Sequence, residues 1–447
     1  MLQTLKNAWK EPDIRKRILF CLFILLLYRI GAVIPVPFVN STAMQALVTS
    51  SEGSVFEYLN LLSGSALSRA TLFALSISPY ITASIVIQLL GVAFPKQLGE
   101  LSKTEEGKKK LNNITRYVTV ALALVTSIGY YFVMKRGSIL TDEGETFLGA
   151  LVVIASYCAG AALIMWLAEK INENGIGNGI SLILFANIIA GIPGLANGIR
   201  VSLINEWTAA ATEGYTDAII VTIVTVLGLA LTVAIVFFIA FFTESERRIP
   251  IQYAKRVVGR KMYGGQSTHL PMKVNMSGVM PIIFASSIIS IPSTIAAFFP
   301  APDKEDNPFW YSIVWFFSYE NLPYAIMYFA LIILFAYFYI TISFNPTEVA
   351  NNLKKNGGVV PGIRQGKPTA DYITRILNKI TLIGALFLGV IAVLPLIINL
   401  ISSAWGHSIA GIAFGGSSII IVVGVVLETI RELESQLTLR NYKGFLS

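Results

Sequence analysis

Thr71-Leu-Phe-Ala-Leu-Ser-Ile-Ser-Pro-Tyr-Ile-Thr-Ala-Ser-Ile-Val-Ile-Gln-Leu-Leu90 runs for twenty residues without a charged side chain. A helix needs about 20 mostly apolar residues to cross the hydrocarbon core of a bilayer, so this stretch, carried on to Phe94, reads as a membrane span. Working outward, nine further stretches qualify: 18–35, 115–134, 147–168, 180–195, 218–242, 274–298, 322–342, 376–398 and 409–429. The stretch at 180–195 is short and polar at its start, and is the weakest of the ten on hydropathy. Composition agrees, since 54% of the 447 residues are hydrophobic and only 13% charged. Soluble domains carry about 25% charged residues, so most of this chain's surface is not built to face water. The first apolar run lacks a small-residue cleavage site and reads as a retained span. The predicted fold class is an all-α polytopic membrane protein.

Orientation follows from where the cations sit, because cytosolic loops collect Lys and Arg. One set of segments carries Lys6, Lys10, Arg15, Lys16 and Arg17, then Lys103 and Lys108 to Lys110, then Arg247, Arg248, Lys255, Arg256 and Lys273. It continues with Lys354, Lys355, Arg364, Lys367 and Arg431. The alternate segments hold only Arg69, Lys135, Arg136, Arg200 and Lys304. Both termini are therefore expected in the cytosol. Ten spans divide at a predicted loop over 200–217 into an N-terminal half, 1–205, and a C-terminal half, 206–447. Five is odd, so the second half must run opposite to the first. That is the arithmetic of an inverted repeat, whose interface is the usual place for a pathway.

Two kinds of segment are neither span nor plain loop. Between the first two spans, residues 55–69 contain Leu59, Leu62, Ser63, Gly64 and Leu67, an apolar-polar mixture far too short to cross. Either a short re-entrant helix or an amphipathic external loop fits that pattern. In the predicted cytosolic loop 243–273, Ile249, Ile251 and Tyr253 alternate with polar neighbours, a strand period. Gly264-Gly265 then reads as a turn and 266–273 as the return arm of a protruding hairpin. The second large predicted cytosolic loop, 345–374, holds Arg364 in a Pro-Gly-flanked turn. Basic loops of this kind obey the topology rule, touch anionic lipid, or dock a phosphate-rich or acidic partner such as a ribosome.

Chemistry is excluded by count. With only His269 and His407 there is no His-Glu-x-x-His protease site, and Cys21 and Cys158 sit in apolar runs unsuited to a disulfide framework or a metal site. The run at 362–368 lacks the glycine spacing and the Ser/Thr of a phosphate loop. No cofactor or metal is expected. Carboxylates are scarce inside the spans, which argues against a proton-coupled secondary transporter, the rival reading that an inverted repeat invites. Arg29 is the clear intramembrane charge, and it should face protein or water.

Longer strings carry a resemblance. Thr71 to Leu90, Glu169-Lys-Ile-Asn-Glu-Asn-Gly-Ile-Gly-Asn-Gly-Ile-Ser181, Ser63-Gly-Ser-Ala-Leu-Ser-Arg69, Gln266-Ser-Thr-His-Leu-Pro-Met-Lys-Val-Asn275 and Val360-Pro-Gly-Ile-Arg364 closely resemble segments of the SecY family of protein-conducting channel subunits. Ser76 and Ser78 depart from the Gly or Met of relatives.

The resemblance implies a channel without enzymatic activity, which passes secretory polypeptides across the membrane and releases apolar segments sideways between the second and seventh spans. By position it implies a pore ring of Ile77, Ile81, Ile180, Leu184, Ile283 and Ile421, and it makes 55–69 a plug helix. A narrow apolar ring dewets and blocks ions, yet can seal around a threaded chain. Thr82, Gln88 and Asn275 are candidates for hydrogen bonding across the lateral gate, or for ordinary interhelical bonds. Arg247, Arg248, Lys255, Arg256 and Arg364 are candidates for docking cytosolic partners. The implied partners are SecE, SecG, the SecA ATPase, the ribosome, unfolded preproteins with their signal sequences, and membrane lipid.

Overall fold

The computed structural model describes residues 2–50, 59–60, 63–94, 98–99, 101, 104–213, 215–253, 256–258, 261–263, 267–299, 307–318, 321–404 and 416–443. Among them the helices are α1 (Leu2–Lys10), α2 (Pro12–Gly31), α3 (Ser41–Ser50), α4 (Ser78–Ala93), α5 (Glu105–Arg136), α6 (Phe147–Asn174) and α7 (Gly179–Glu213). The chain continues through α8 (Tyr215–Glu244), α9 (Met280–Ala297), α10 (Pro308–Phe316), α11 (Leu322–Ser343), α12 (Pro346–Lys355), α13 (Lys367–Ala404) and α14 (Gly416–Lys443). A helix occupies at least part of each of the ten predicted stretches. Seven of these helices, α5 to α9, α11 and α13, are long and apolar enough to cross a membrane. α2 carries Arg15, Lys16 and Arg17 near its start, α4 has 16 residues, and α14 turns polar over its second half.

Local chemistry sets the ends. Thr104 caps α5 by accepting from the Gly107 N–H at 3.1 Å, with Glu105 and Glu106 in the first turn and Lys135 and Arg136 in the last. Anions at the start and cations at the end complement the helix dipole. Outward faces are apolar: Val226, Leu227, Val233 and Phe237 of α8 are 61–74% exposed. A face that greasy is stable against lipid tails and not against water.

Three expectations need correcting. The second span is helical only from Ser78, because Thr71 bridges to Pro35 and residues 72–77 form turns. The seventh starts at Met280, so Asn275 precedes the helix instead of lying on it. The predicted external loop 200–217 is largely helix, α7 running to Glu213 and α8 starting at Tyr215. Propensity there is helical, and the charges of that stretch do not break a hydrogen-bonded backbone.

The hairpin predicted for 243–273 has the expected arms. β1 (Glu246–Tyr253) pairs antiparallel with β4 (Ser267–Lys273), Glu246 opposite Lys273 and Gln252 opposite Ser267. Ile249 and Ile251 are 2% exposed, and Ile249 joins a cluster with Met272, Ile340, Val360 and Ile373. Between the arms, β2 (Arg256–Val258) pairs with β3 (Lys261–Tyr263), so the chain reverses between Val258 and Lys261. The turn expected at Gly264-Gly265 lies outside the described residues. A further strand, β5 (Gly358–Val359), joins the other edge of β1. It stitches the two large basic loops into one three-stranded sheet, β4-β1-β5.

Candidate functional site

The helices α4 and α9 pack against each other, and their starts are built alike. In each, a residue with positive φ (Ser76, 55°; Gly278, 63°) is followed by a β-branched N-cap residue, Ile77 or Val279. Two residues later comes a proline, Pro79 or Pro281, whose missing N–H is no loss at the first turn. Ile77 and Val279 have φ, ψ of −88°, 0° and −92°, −10°. Each carbonyl accepts from the residue four ahead, Ile81 at 3.1 Å and Ile283 at 3.3 Å. One helix comes from each half of the sequence, so this short device is a local repeat that the two sequences barely betray.

Ile77, Ile81, Leu184, Ile283 and Ile421 all fall in one buried cluster, with Ile180 packed against it. The same cluster holds Val279, Ile85 and Val425. On α14, Gly424 lies against Val279, so closely that a Cβ there would run into the valine side chain. The six candidate ring positions thus share one extended buried cluster, to which α4, α7, α9 and α14 all contribute; α9 packs on both α4 and α14, and α14 on α7.

The segment leading into α4 is held from several sides. Val36 N–H donates to the Ala70 carbonyl and Leu72 N–H to the Ile34 carbonyl, both at 2.9 Å. On α6, Gly160 admits the Leu72 carbonyl where a Cβ would collide with it. Ser76 is buried, and its Oγ accepts from Asn187 Nδ2 of α7 at 3.3 Å. The serine that departs from the family pattern thus has a polar partner on the fifth predicted span. Sequence reasoning missed Asn187, where an amide within Ile183 to Ile188 was the available signal.

Of the predicted plug, Leu59, Asn60 and residues 63–69 are described; Leu62 is not. Leu59 and Asn60 are helical, and residues 63–69 form a knot of turns rather than a continued helix. Ser63 Oγ accepts from Leu67 N–H at 3.1 Å, and Asn60 Oδ1 accepts from Ser68 N–H at 2.9 Å. Gly64 and Ser65 both have positive φ, which ends the helix. Leu67 is buried in a second cluster, with Leu59 against it.

Among the described residues, the gate candidates are not hydrogen-bonded to one another across α4 and α9. Gln88 Nε2 donates to Ser84 Oγ of its own helix at 3.2 Å, and Asn275 Oδ1 accepts from Ser277 Oγ at 3.4 Å. Thr82 is half-buried, and among the described residues no hydrogen bond links it to α9. Of the docking candidates, Arg247, Arg248 and Arg364 are exposed. Arg248 is paired in its own strand with Glu246 at 2.7 Å. Arg364 sits between Gly362 and Gly366, both at positive φ, with its carbonyl accepting from Thr369 Oγ1 at 2.7 Å. Arg256 lies on β2, and Lys255 is outside the described residues.

A second feature missed in the sequence ties α5 to α6. Arg116 Nε lies 2.9 Å from both carboxylate oxygens of Glu169, with Nη2 at 2.8 Å. Glu169 also opens the second resembling string. Charges near the ends of two predicted spans were the legible hint.

This is the architecture of a polytopic helical membrane channel: greasy outer faces around an apolar interior shared by helices of both halves, with two matching helix starts. A profile of the SecY family matches residues 71–430. The protein translocase subunit SecY of Mycobacterium bovis is 41% identical over the full length of both chains. Among solved structures, a SecY channel whose plug domain stabilises the closed state and maintains a membrane seal matches with a TM-score of 0.61. It is 18% identical and covers 94% of this chain and 91% of that one. Sec61 in the canine ribosome-channel complex of the endoplasmic reticulum gives a TM-score of 0.57 at 16% identity, over 94% and 91%. The chain belongs to the SecY family.

Proposed function

We infer that this chain is the channel subunit of a protein translocase, passing unfolded polypeptides across the membrane without catalysing any covalent step. The observation that carries the reading is that Ile77, Ile81, Leu184, Ile283 and Ile421 belong to one buried cluster, with Ile180 packed against it, built from helices of both halves. Six flexible apolar side chains make a constriction that excludes hydrated ions and still yields to a chain. Ten spans in two inverted halves place that ring near the middle of the membrane, with both termini in the cytosol. The turns at 63–69 and the residues before them act as the plug. α4 and α9 form the lateral gate, with Thr82, Gln88 and Asn275 available to bond once the gate rearranges.

Energy comes from outside the chain. The three-stranded sheet and the Arg364 turn project from the cytosolic ends of the spans, and the exposed guanidiniums suit a SecA-type ATPase or the phosphates of a ribosome. The canine Sec61 relative is a ribosome-bound channel. SecE and SecG complete the assembly by analogy with the family.

Ion conductance in planar bilayers tests the seal. Replacing Ile81 and Ile283 together by Ser adds groups that water wets, and deleting residues 59–67 removes the plug. Both variants should leak. Two variants as tight as the parent would mean that the pore lies elsewhere.

A further inference from the structure

Arg29, the intramembrane charge, is where the structure says more than the family does. It lies two residues from the end of α2. Its Nη1 is fully buried and has no hydrogen-bond partner among the described residues. A Cβ placed on Gly64, at the apex of the plug turns, would come within 3.1 Å of Nη1 and 3.0 Å of both Cα and the carbonyl oxygen of Asn187. The turn is therefore seated directly on Arg29 and Asn187. Tyr28, beside it in sequence, stacks on Phe73 with ring centroids 5.3 Å apart, which fixes the end of α2 against the segment leading into α4.

Arg29 as a whole is half-buried, but a charged donor nitrogen buried without a partner among the described residues opposes the state that buries it. We propose that Arg29 is a positioning residue that sets how readily the plug leaves: the seated turn strips water from the Nη1 end of its guanidinium, and withdrawal of the turn restores that water. The charge works as a spring against the closed state, while Leu67, buried in its apolar cluster, holds the turn down. Gly64 has φ of 64° and no Cβ, so it is the residue that lets the turn approach the charge so closely. The inference rests on the plug reading given above.

The test is labelling of Ser63→Cys, at a position fully buried in the seated turn. The full-length channel is used with its two native cysteines replaced, in right-side-out vesicles with an impermeant thiol reagent. Arg29→Met should slow labelling of the resting channel about fivefold, the equivalent of roughly 1 kcal/mol of relieved burial. Arg29→Lys, which restores a charge, should return the rate towards that of the parent. Gly64→Ala should speed labelling, since its methyl group has no room against Asn187. An Arg29→Met channel labelled as fast as the parent, or faster, overturns the spring. Failure of the underlying plug reading looks different: deletion of residues 59–67 would then leave conductance unchanged, whatever Arg29→Met does.

Discussion

Ser76 and Gly278 hold the same left-handed backbone conformation, φ 55° and 63°, each three residues before the proline that opens a helix. Only one of them is the residue type that adopts it freely. The N-terminal half tolerates serine because Ser76 Oγ accepts from Asn187 Nδ2 in a buried site. The C-terminal half uses glycine, with nothing nearer to its missing Cβ than Glu428 Oε2 at 4.0 Å.

This asymmetry gives different outcomes for two small substitutions. Gly278→Ala meets open space, so its cost is the backbone term alone, about 1 kcal/mol. Ser76→Gly relieves a similar strain but leaves the buried Asn187 amide without that acceptor, and should come out near neutral. Apparent Tm in detergent is the readout. A Gly278→Ala protein as stable as the parent would show that the seventh helix does not need this start.

The ion pair between Arg116 and Glu169 predicts a dependence on shape as well as on charge. Lysine keeps the charge but cannot match both carboxylate oxygens. Arg116→Lys should lower stability by about 1 kcal/mol, a modest figure because the arginine is 44% exposed. The exchanged pair, Arg116→Glu with Glu169→Arg, should recover part of what either single change loses. Equal Tm values for parent, single variants and exchanged pair would make the contact a surface ornament.

Seven of the ten predicted spans were legible because length and hydropathy alone specify a crossing helix, and the hairpin arms because Ile249 and Ile251 keep a period of two. The true helix starts were hidden. Residues 71–77 are as apolar as the helix they precede, so hydropathy has no means to separate turn from helix there; at 274–279 Asn275, Ser277 and Gly278 were a polar signal that the span boundary overran. The short β2–β3 pair between the arms was not read, because three-residue strands leave too little pattern to see. β5 is two residues long and has no pattern to read. Asn187 looked like one amide in an apolar run; its importance comes from Ser76 and Gly64, which are remote from it in sequence and touch it in the fold.

Arg364 tests whether the basic loops do more than set topology. The orientation rule is indifferent to which residue carries the charge, whereas a docking contact is not. Losing one partner of a buried charge pair at an interface typically costs about 2–5 kcal/mol. Arg364→Glu should therefore slow ATPase-driven translocation into vesicles by roughly tenfold or more, at a saturating level of the motor, while insertion stays normal. Parental rates would leave this turn as a topology signal only.

The central claim is that a polypeptide passes between Ile81 and Ile283. In a channel lacking its native cysteines, single cysteines at Ile81, Ile283 and Val226 should be challenged with a stalled secretory chain carrying one cysteine. Val226 is 61% exposed on the outer face of α8 and serves as the lipid-side control. The account predicts disulfide crosslinks from the stalled chain to positions 81 and 283 and none to 226. Crosslinks to 226 with neither of the other two would contradict it.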